Sequence, residues 1–174
     1  MDYLTKPTSR KELRMLATFF RKLFDAPPNG AFPVLESLEK FGTVFPGSNY
    51  EVVDDNALPA NEPARCEIND NGTFTIKIRN NVYDGAYEHN IGAYLDIIVH
   101  ELCHAFLFKA GFTPIFSRSF KNKTIPPYRS VEWQAKALCG EVMLPYDDTV
   151  GLSIEELVSK YGVSDSEAEF RRKL

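Results

Sequence analysis

The segment 97–106, IIVHELCHAF, constrains this chain more than any other, because it places two histidines four residues apart with a glutamate directly after the first. Apolar residues surround the three polar ones, which predicts a helix packed in a core. Residues four apart on a helix are separated by about 40° around its axis, so His100 and His104 point towards one place. Polar groups in a core need partners. The segment therefore predicts a metal ion bound by both imidazoles.

The spacing His-Glu-x-x-His is the one by which zinc metalloproteases hold their metal. Catalytic zinc sites use three protein ligands and keep a fourth position open. Glu101 follows His100 by about 100° around the helix. We therefore predict that Glu101 is the general base for an attacking water rather than a ligand. The alternative is an ordinary amphipathic helix with histidines at its polar boundary, since a short pattern with three fixed positions also occurs by chance.

The third ligand must come from elsewhere in the chain. The sequence has three histidines, and the remaining one, His89, precedes the motif. A carboxylate is therefore expected, and the predicted helix over 130–144 carries Glu132 and Glu141. We favour Glu132, which completes a set of two histidines and one glutamate, and expect Glu141 to be a solvated or capping group. This set suits one zinc ion per chain, with manganese as the alternative.

Hydrophobic periodicity, caps and turns predict an α+β fold with a small antiparallel sheet. The asparagine-glycine pair at 71–72 predicts a turn between two of the strands. The strand over 73–79 is a candidate sheet edge for binding an extended peptide. The predicted elements are, in order, helices over 9–25 and 33–41, two or three antiparallel strands within 50–79, the motif helix over 87–109, a loop over 112–128, a helix over 130–144, and two short helices after Ser153 with capping boxes at Ser153/Glu156 and Ser164/Glu167.

Composition excludes several classes of function. The net charge of −4 and the pI near 5.4 argue against direct nucleic-acid binding. No apolar run is long enough to span a bilayer, and residues 1–13 lack the apolar core of a signal peptide, so we expect a cytoplasmic protein and no membrane partner. Cys66, Cys103 and Cys139 form no CxxC pair, which fits a reducing compartment and thiols that are mostly buried.

The stretch HELCH, followed by EWQAKALCGEVMLP from Glu132, resembles the ImmA/IrrE family of zinc metallopeptidases. The second signature of that family reads roughly E-x-x-A-N-x-F-A-x-x-L-L-M-P, and the resemblance covers about residue 73 to the end. It implies a minimal zincin-like core, with zinc ligands His100, His104 and Glu132 and the catalytic base Glu101. The residues of the second stretch that lie along the pattern are Glu132, Ala135, Leu138, Glu141, Val142, Met143, Leu144 and Pro145.

The same resemblance implies what the protein acts on. It implies cleavage of a specific protein partner, typically a helix-turn-helix repressor, or an antitoxin, of a phage or mobile element. Residues 1–150 would form the metallopeptidase domain, and 151–174 a helical, helix-turn-helix-like extension packed on it. The tail carries five acidic and four basic residues from Ser153 onward, and this charge balance argues against binding to the phosphates of DNA. The sequence predicts no oligomeric state.

One position departs from the family pattern. Lys136 stands where the family usually has asparagine, four residues after the ligand glutamate. A lysine cannot accept a hydrogen bond from a ligand imidazole, so another group must fix the orientation of that ring. A peptidase also needs a residue that stabilises the oxyanion formed during hydrolysis. Tyr128, Tyr146 and His89 are candidates, and the sequence does not decide between them.

Three other interpretations compete with this one. A SprT-like metalloprotease uses a stretch similar to HELCHA, but that group needs another histidine after the motif, and none follows His104. A non-cleaving, metal-stabilised regulator would bind a repressor or toxin and inhibit it by occupancy. A purely structural domain would bind no metal for function.

Overall fold

The computed structural model describes residues 2–115 and 124–174. The fold is α+β as predicted, with eight α-helices and a three-stranded sheet in the described residues. A 3-10 helix, Pro127–Arg129, precedes α5, and residues 116–123 of the predicted loop lie outside the described residues. The elements are α1 (Arg10–Leu23), α2 (Val34–Val44), β1 (Asn49–Val53), β2 (Ala64–Ile68), β3 (Phe74–Arg79), α3 (Asn80–His89), α4 (Gly92–Lys109), α5 (Val131–Met143), α6 (Tyr146–Thr149), α7 (Ile154–Tyr161) and α8 (Asp165–Arg171).

The sheet is mixed, so the prediction of an antiparallel sheet is wrong for β1. β2 and β3 form the predicted antiparallel hairpin, in which Gly72 adopts a positive φ of 78° and its N–H donates to the Asn69 carbonyl. β1 pairs with β3 in parallel. The reason is topological: the connection over 54–63 reverses the chain once and the hairpin reverses it again. Two reversals return β3 to the direction of β1.

The strand order β1-β3-β2 places β3 in the centre of the sheet. The expectation that residues 73–79 form a sheet edge is therefore wrong. Phe74, Ile76 and Ile78 alternate along β3 and are fully buried, as expected for a strand whose one face lies on the core. β2 is left as an edge strand, and it packs against α4.

The motif helix is shorter than predicted, because the chain breaks between α3 and α4. The two helices are bent by 119° relative to each other. Asn90 ends α3 in the left-handed region with φ 48°, which asparagine tolerates better than most residues. Gly85 permits the close packing, since a Cβ there would lie 2.3 Å from the Tyr94 ring. His89 is consequently on α3 and not on the helix of the motif.

Other helix limits agree more closely with the sequence patterns. α1 begins at the predicted capping box of Ser9 and Glu12, whereas α2 continues through Gly42 to Val44. α7 has the predicted capping box. α8 has half of one, because Ser164 accepts from the Glu167 N–H while the carboxylate of Glu167 does not return the bond.

α4 is the central helix of the core, which it shares with α1, α5, the sheet and the tail. Ile98, Val99 and Leu102 are fully buried on α4, and Leu157, Tyr161 and Val163 of the tail belong to the same cluster. In the described residues no single helix is both long and apolar enough to cross a membrane, although the bent pair α3 and α4 together has the length and composition.

Glu141 is buried, with 1% of its side chain exposed, so the expectation that it is a solvated or capping group is wrong. Its carboxylate lies 3.3 Å from Arg10 Nη1, 3.4 Å from Arg14 Nε and 3.1 Å from Arg171 Nη2. These ion pairs join α5 to α1 and α8. A buried carboxylate is tolerated only when it is paired and hydrogen-bonded in this way.

We predict that Glu141→Ala lowers the free energy of unfolding by about 3 kcal/mol, because it leaves the buried Arg171 guanidinium without its carboxylate. Denaturant unfolding measures the effect. Glu169→Ala, an exposed position on α8, is the control and is expected to change stability by less than about 0.5 kcal/mol. Equal effects of the two variants would contradict a structural role for the buried ion pairs.

Candidate metal centre

Three side chains from α4 and α5 converge on one point. The Nε2 atoms of His100 and His104 are 3.0 Å apart. Glu132 places Oε2 at 3.3 Å from His100 Nε2 and Oε1 at 3.4 Å from His104 Nε2. The ligand atoms of the three residues thus all lie within 4.8 Å of one another, an arrangement that could hold a metal ion.

The spacing of these atoms fits a small tetrahedral ion. Metal–ligand bonds of about 2.0–2.1 Å at tetrahedral angles place two ligand atoms about 3.3 Å apart. The two imidazole nitrogens are 3.0 Å apart, and each lies 3.3 or 3.4 Å from a different oxygen of Glu132, so all of these separations are close to that edge length. The donor set, two imidazole nitrogens and carboxylate oxygens, is one that zinc accepts. The geometry therefore supports metal binding, and the identity of the metal is a separate question.

Helix geometry and packing explain why these side chains meet. His100 and His104 lie one turn apart on the same face of α4, as their spacing predicts. Glu132 is in the first turn of α5, which packs against α4 through a shared buried core. Cys139 on α5 donates from Sγ to the Asp96 carbonyl on α4 at 3.4 Å, which adds a polar contact between the two helices.

The electrostatics of the triad show strong mutual interaction. Hydrogen bonds from His100 and then His104 hold the pKa of Glu132 far below its usual range, although burial opposes this. Burial lowers the pKa of His104, but the hydrogen bond to Glu132 and the charges of Glu101, Glu132 and Asp2 outweigh it, so the net shift is upward. The Glu132 carboxylate therefore favours the protonated form of the His104 imidazole. A metal ion must displace that proton.

Glu101 is not among the three converging side chains. Its side chain is largely buried, and its Oε2 accepts a hydrogen bond of 2.7 Å from the Cys66 N–H on β2. This bond fixes the orientation of the carboxylate and links α4 to the edge strand. The same environment affects Cys66, since burial, and then the charge of Glu101, raises the pKa of its thiol. The thiol therefore stays protonated and is a poor nucleophile.

A cleft of about 810 Å³ contains the triad and Glu101. β2 and the segment before it form one wall, from Asn61 to Ile68. The end of the cleft on the N-terminal side of His100 is charged, and the end on the C-terminal side of His104 is apolar. The charged end is lined by Asp96, Lys136 and Glu167, and the apolar end by Leu107, Phe108, Phe112 and Pro114.

Asp96 is the unusual charge in this cleft. Burial, and then the charge of Glu167, raises its pKa to about 7. Its Oδ2 accepts a hydrogen bond of 3.2 Å from Ser164 Oγ, and its Oδ1 is buried without a hydrogen-bond partner in the described residues. Asp96 is therefore partly protonated near neutral pH.

The candidate oxyanion stabilisers lie outside the lining of this cleft in the described residues. His89 is exposed on α3, and Tyr146 packs under Arg14, whose guanidinium carbon is 3.7 Å from the ring centroid. Tyr128 is half exposed near α5. The cleft is instead lined by Tyr3, which the sequence did not single out. No local pattern marks Tyr3, because only the tertiary fold brings residues 2–8 to α5.

The cysteines agree with the expectation of buried thiols in two of three cases. Cys103 and Cys139 are buried on α4 and α5, and Cys66 is half-buried. A hydrogen bond with Cys103, and then burial, raises the pKa of Cys139. All three thiols are free.

Comparison with known proteins gives no relative: no protein-family model matches the chain, and no curated protein sequence matches it significantly. The resemblance of the two motifs to the ImmA/IrrE family therefore stays a prediction.

We predict that Asp96 makes the protein less stable as pH rises from about 4 to about 7. The folded chain, with its Asp96 pKa of about 7, keeps a proton that the unfolded chain, with an ordinary value of 3.8, has released. Asp96→Asn removes this dependence, so it is expected to gain stability relative to the wild type between pH 5 and pH 8.

Thermal or denaturant unfolding at several pH values measures this difference. Asp147→Asn, an exposed position on α6, is the control and should leave the pH dependence of the wild type intact. Parallel stability curves for the wild type and Asp96→Asn would show that Asp96 does not retain its proton in the fold.

Proposed function

We propose that this protein is a zinc-dependent metallopeptidase with a minimal zincin-like core, which hydrolyses a peptide bond in a protein partner. The observation that carries the proposal is the convergence of donor atoms from three residues, two imidazole nitrogens and the carboxylate oxygens of Glu132, in the cleft that also contains Glu101. His100, His104 and Glu132 would hold one zinc ion per chain. A cleft with an open position beside these ligands leaves room for water and substrate.

The edge strand suggests how a substrate would lie. In the described residues β2 pairs only with β3, and its other side forms a wall of the cleft. An extended peptide can add a strand to such an edge through backbone hydrogen bonds. Ala64 and Ile68 flank Cys66 on this wall, so a peptide paired with β2 would pass in front of Glu101 and the triad.

The chemistry follows from the placement of Glu101. A bound zinc ion supplies Lewis acidity that polarises the scissile carbonyl and makes water a better nucleophile. Glu101 accepts the proton of the attacking water and then delivers it to the leaving amine. The Cys66 N–H holds one carboxylate oxygen in place, so Glu101 meets the water in a fixed orientation. Because Cys66 is on the edge strand, the base and the peptide-binding strand are positioned together.

The partner is proposed from the motif resemblance. A helix-turn-helix repressor or antitoxin of a phage or mobile element fits the ImmA/IrrE-like signatures, and the proposed site of action is the cytoplasm. The net charge of −4 supports a protein substrate over direct contact with nucleic acid.

A non-cleaving regulator is the second candidate, and Lys136 is the observation that favours it. Lys136 is exposed and lines the cleft one turn after Glu132. An ammonium group cannot accept a hydrogen bond from a ligand imidazole. A metal-stabilised module that binds a repressor or toxin without cutting it would tolerate that loss. A SprT-like enzyme is less favoured, since no histidine follows His104 to complete its ligand set.

We predict about one zinc ion per chain in the purified wild-type protein. Glu132→Ala removes one ligand of three and is expected to weaken zinc binding at least 100-fold. Metal analysis and competition with a chromophoric chelator measure both. Glu169→Ala is the control on an exposed surface and should bind zinc like the wild type. A wild-type chain that takes up no zinc would refute the proposed metal centre.

We predict that Glu101→Gln keeps the fold and zinc but cleaves about 100-fold to 10,000-fold more slowly, because the amide cannot accept the water proton. Glutamine retains an oxygen that can accept from the Cys66 N–H, so the orientation of the side chain should persist. Cleavage of a peptide library and of candidate repressors, followed by mass spectrometry, provides the measurement.

The outcomes of that experiment separate the two candidates. Cleavage at the wild-type rate by Glu101→Gln would exclude Glu101 as the base. If neither the wild type nor the variant cleaves a repressor that both bind tightly, the non-cleaving regulator replaces the peptidase.

A further inference from the structure

Residues 2–8 lie between the chain that follows α4 and the chain that leads into α5, and they are hydrogen-bonded to both. Leu4 forms a β-bridge with Ser130, and the Ile115 N–H donates to the Leu4 carbonyl at 2.7 Å. Thr5 donates from Oγ1 to the Thr113 carbonyl at 2.9 Å. Leu4 and Thr5 are both buried, which anchors the segment. The segment therefore connects the chain after α4 with the start of α5.

Asp2 and Tyr3 occupy the N-terminal end of α5. The Glu132 N–H donates to Asp2 Oδ1 at 3.1 Å, and Ser130 Oγ donates to Asp2 Oδ2 at 2.5 Å. The Val131 N–H donates to the Tyr3 carbonyl at 3.0 Å. The next N–H, that of Trp133, donates to Ser130 Oγ at 2.9 Å. The first three N–H groups of α5, which no helical carbonyl can satisfy, thus all have partners.

This arrangement matters because Glu132 is in that first turn. Helix ends fray unless their free N–H groups are satisfied, and a frayed turn would let the Glu132 carboxylate move away from the imidazoles. The carboxylate of Asp2 also suits the positive end of the helix dipole. Ser130 alone caps only one of the three groups. The partners for Glu132 and Val131 come from about 130 residues earlier in the chain.

We infer that Asp2 is a positioning residue of the metal centre: it accepts from the Glu132 N–H and from Ser130 Oγ and thereby holds the Glu132 carboxylate against His100 and His104. The inference rests on the proposed metal centre and assigns part of its support to a segment outside both motifs. Lys136 cannot supply such an acceptor at the other end of the ligand turn. Asp2 touches neither the metal nor the substrate, and acts through α5.

The test is the zinc affinity of Asp2→Ala, measured by competition with a chromophoric chelator. Loss of an outer hydrogen-bond partner of a ligand costs about 10-fold to 100-fold in metal affinity, and we expect a loss in that range. Asp2 is exposed, so its truncation opens no cavity in the core. Asp147→Ala removes the same carboxylate from the exposed end of α6 and should bind zinc like the wild type.

Two further measurements separate positioning from general destabilisation. Cobalt(II) in place of zinc should show a weaker or shifted visible absorption in Asp2→Ala, because one carboxylate ligand is held less firmly. The double variant Asp2→Ala/Glu132→Ala should bind zinc as Glu132→Ala alone does, since Asp2 acts through Glu132. Asp2→Asn keeps an oxygen acceptor for the Glu132 N–H and is expected to bind zinc more tightly than Asp2→Ala.

The inference is overturned if Asp2→Ala binds zinc and cobalt like the wild type, or if it weakens binding equally in the Glu132→Ala background. Either result would leave the proposed function intact, because the wild type would still bind zinc through the triad. If the wild-type protein itself has no affinity for zinc, that different result refutes the proposed metal centre.

Discussion

The crossing of α4 and α5 is the contact on which the rest of the structure depends. α4 brings two imidazoles to the boundary of the core, and α5 brings one carboxylate to meet them, so the donor set exists only while the two helices stay packed. α5 is buried over most of its length, and α4 is buried from Ile98 to Leu107 apart from its two histidines. α1, the sheet and the tail surround this pair and bury its remaining apolar faces. The cleft opens where that covering stops, between β2 and the start of α5.

Burying charge is the main difficulty for such an arrangement, and the chain resolves it differently at each place. Glu141 is surrounded by three guanidinium groups, so it can stay ionised in the core. Asp96 has no cation at bonding distance in the described residues and instead retains its proton more readily. Glu132 is half exposed at the edge of the core, and two histidines stabilise it as a carboxylate. Only the last arrangement directs donor atoms from three residues at one point, which is the property that distinguishes a candidate metal site from a structural ion pair.

The local parts of this architecture were predictable from the sequence. Helical spacing places His100 and His104 on one face whatever the surroundings, and the first helical turn after Ser130 is a natural position for Glu132. Ser9 and Ser153 mark helix starts through bonds within four residues. These features depend on contacts between neighbours in the chain, and for that reason local patterns indicate them well.

The features that were missed depend on contacts between distant segments. The direction of β1 follows from two chain reversals, and the burial of Glu141 follows from where α1 and α8 pack. The break at Asn90 requires that Gly85 accept the Tyr94 ring, which the apolar periodicity of the segment does not indicate. The role of Asp2 has no local signature at all, since its partners at Ser130 and Glu132 are brought to it by the whole fold.

The bond between Glu101 and Cys66 explains why a core helix and an edge strand belong to one site. A carboxylate on α4 alone would be free to turn towards the nearby imidazoles and join the triad as a further ligand or ion-pair partner. The Cys66 N–H draws it towards β2 instead, at the cost of one backbone donor on the strand edge. In the described residues no second strand pairs with this edge. Helical spacing thus places Glu101 about 100° around α4 from His100, and the bond to β2 then fixes which way its carboxylate points.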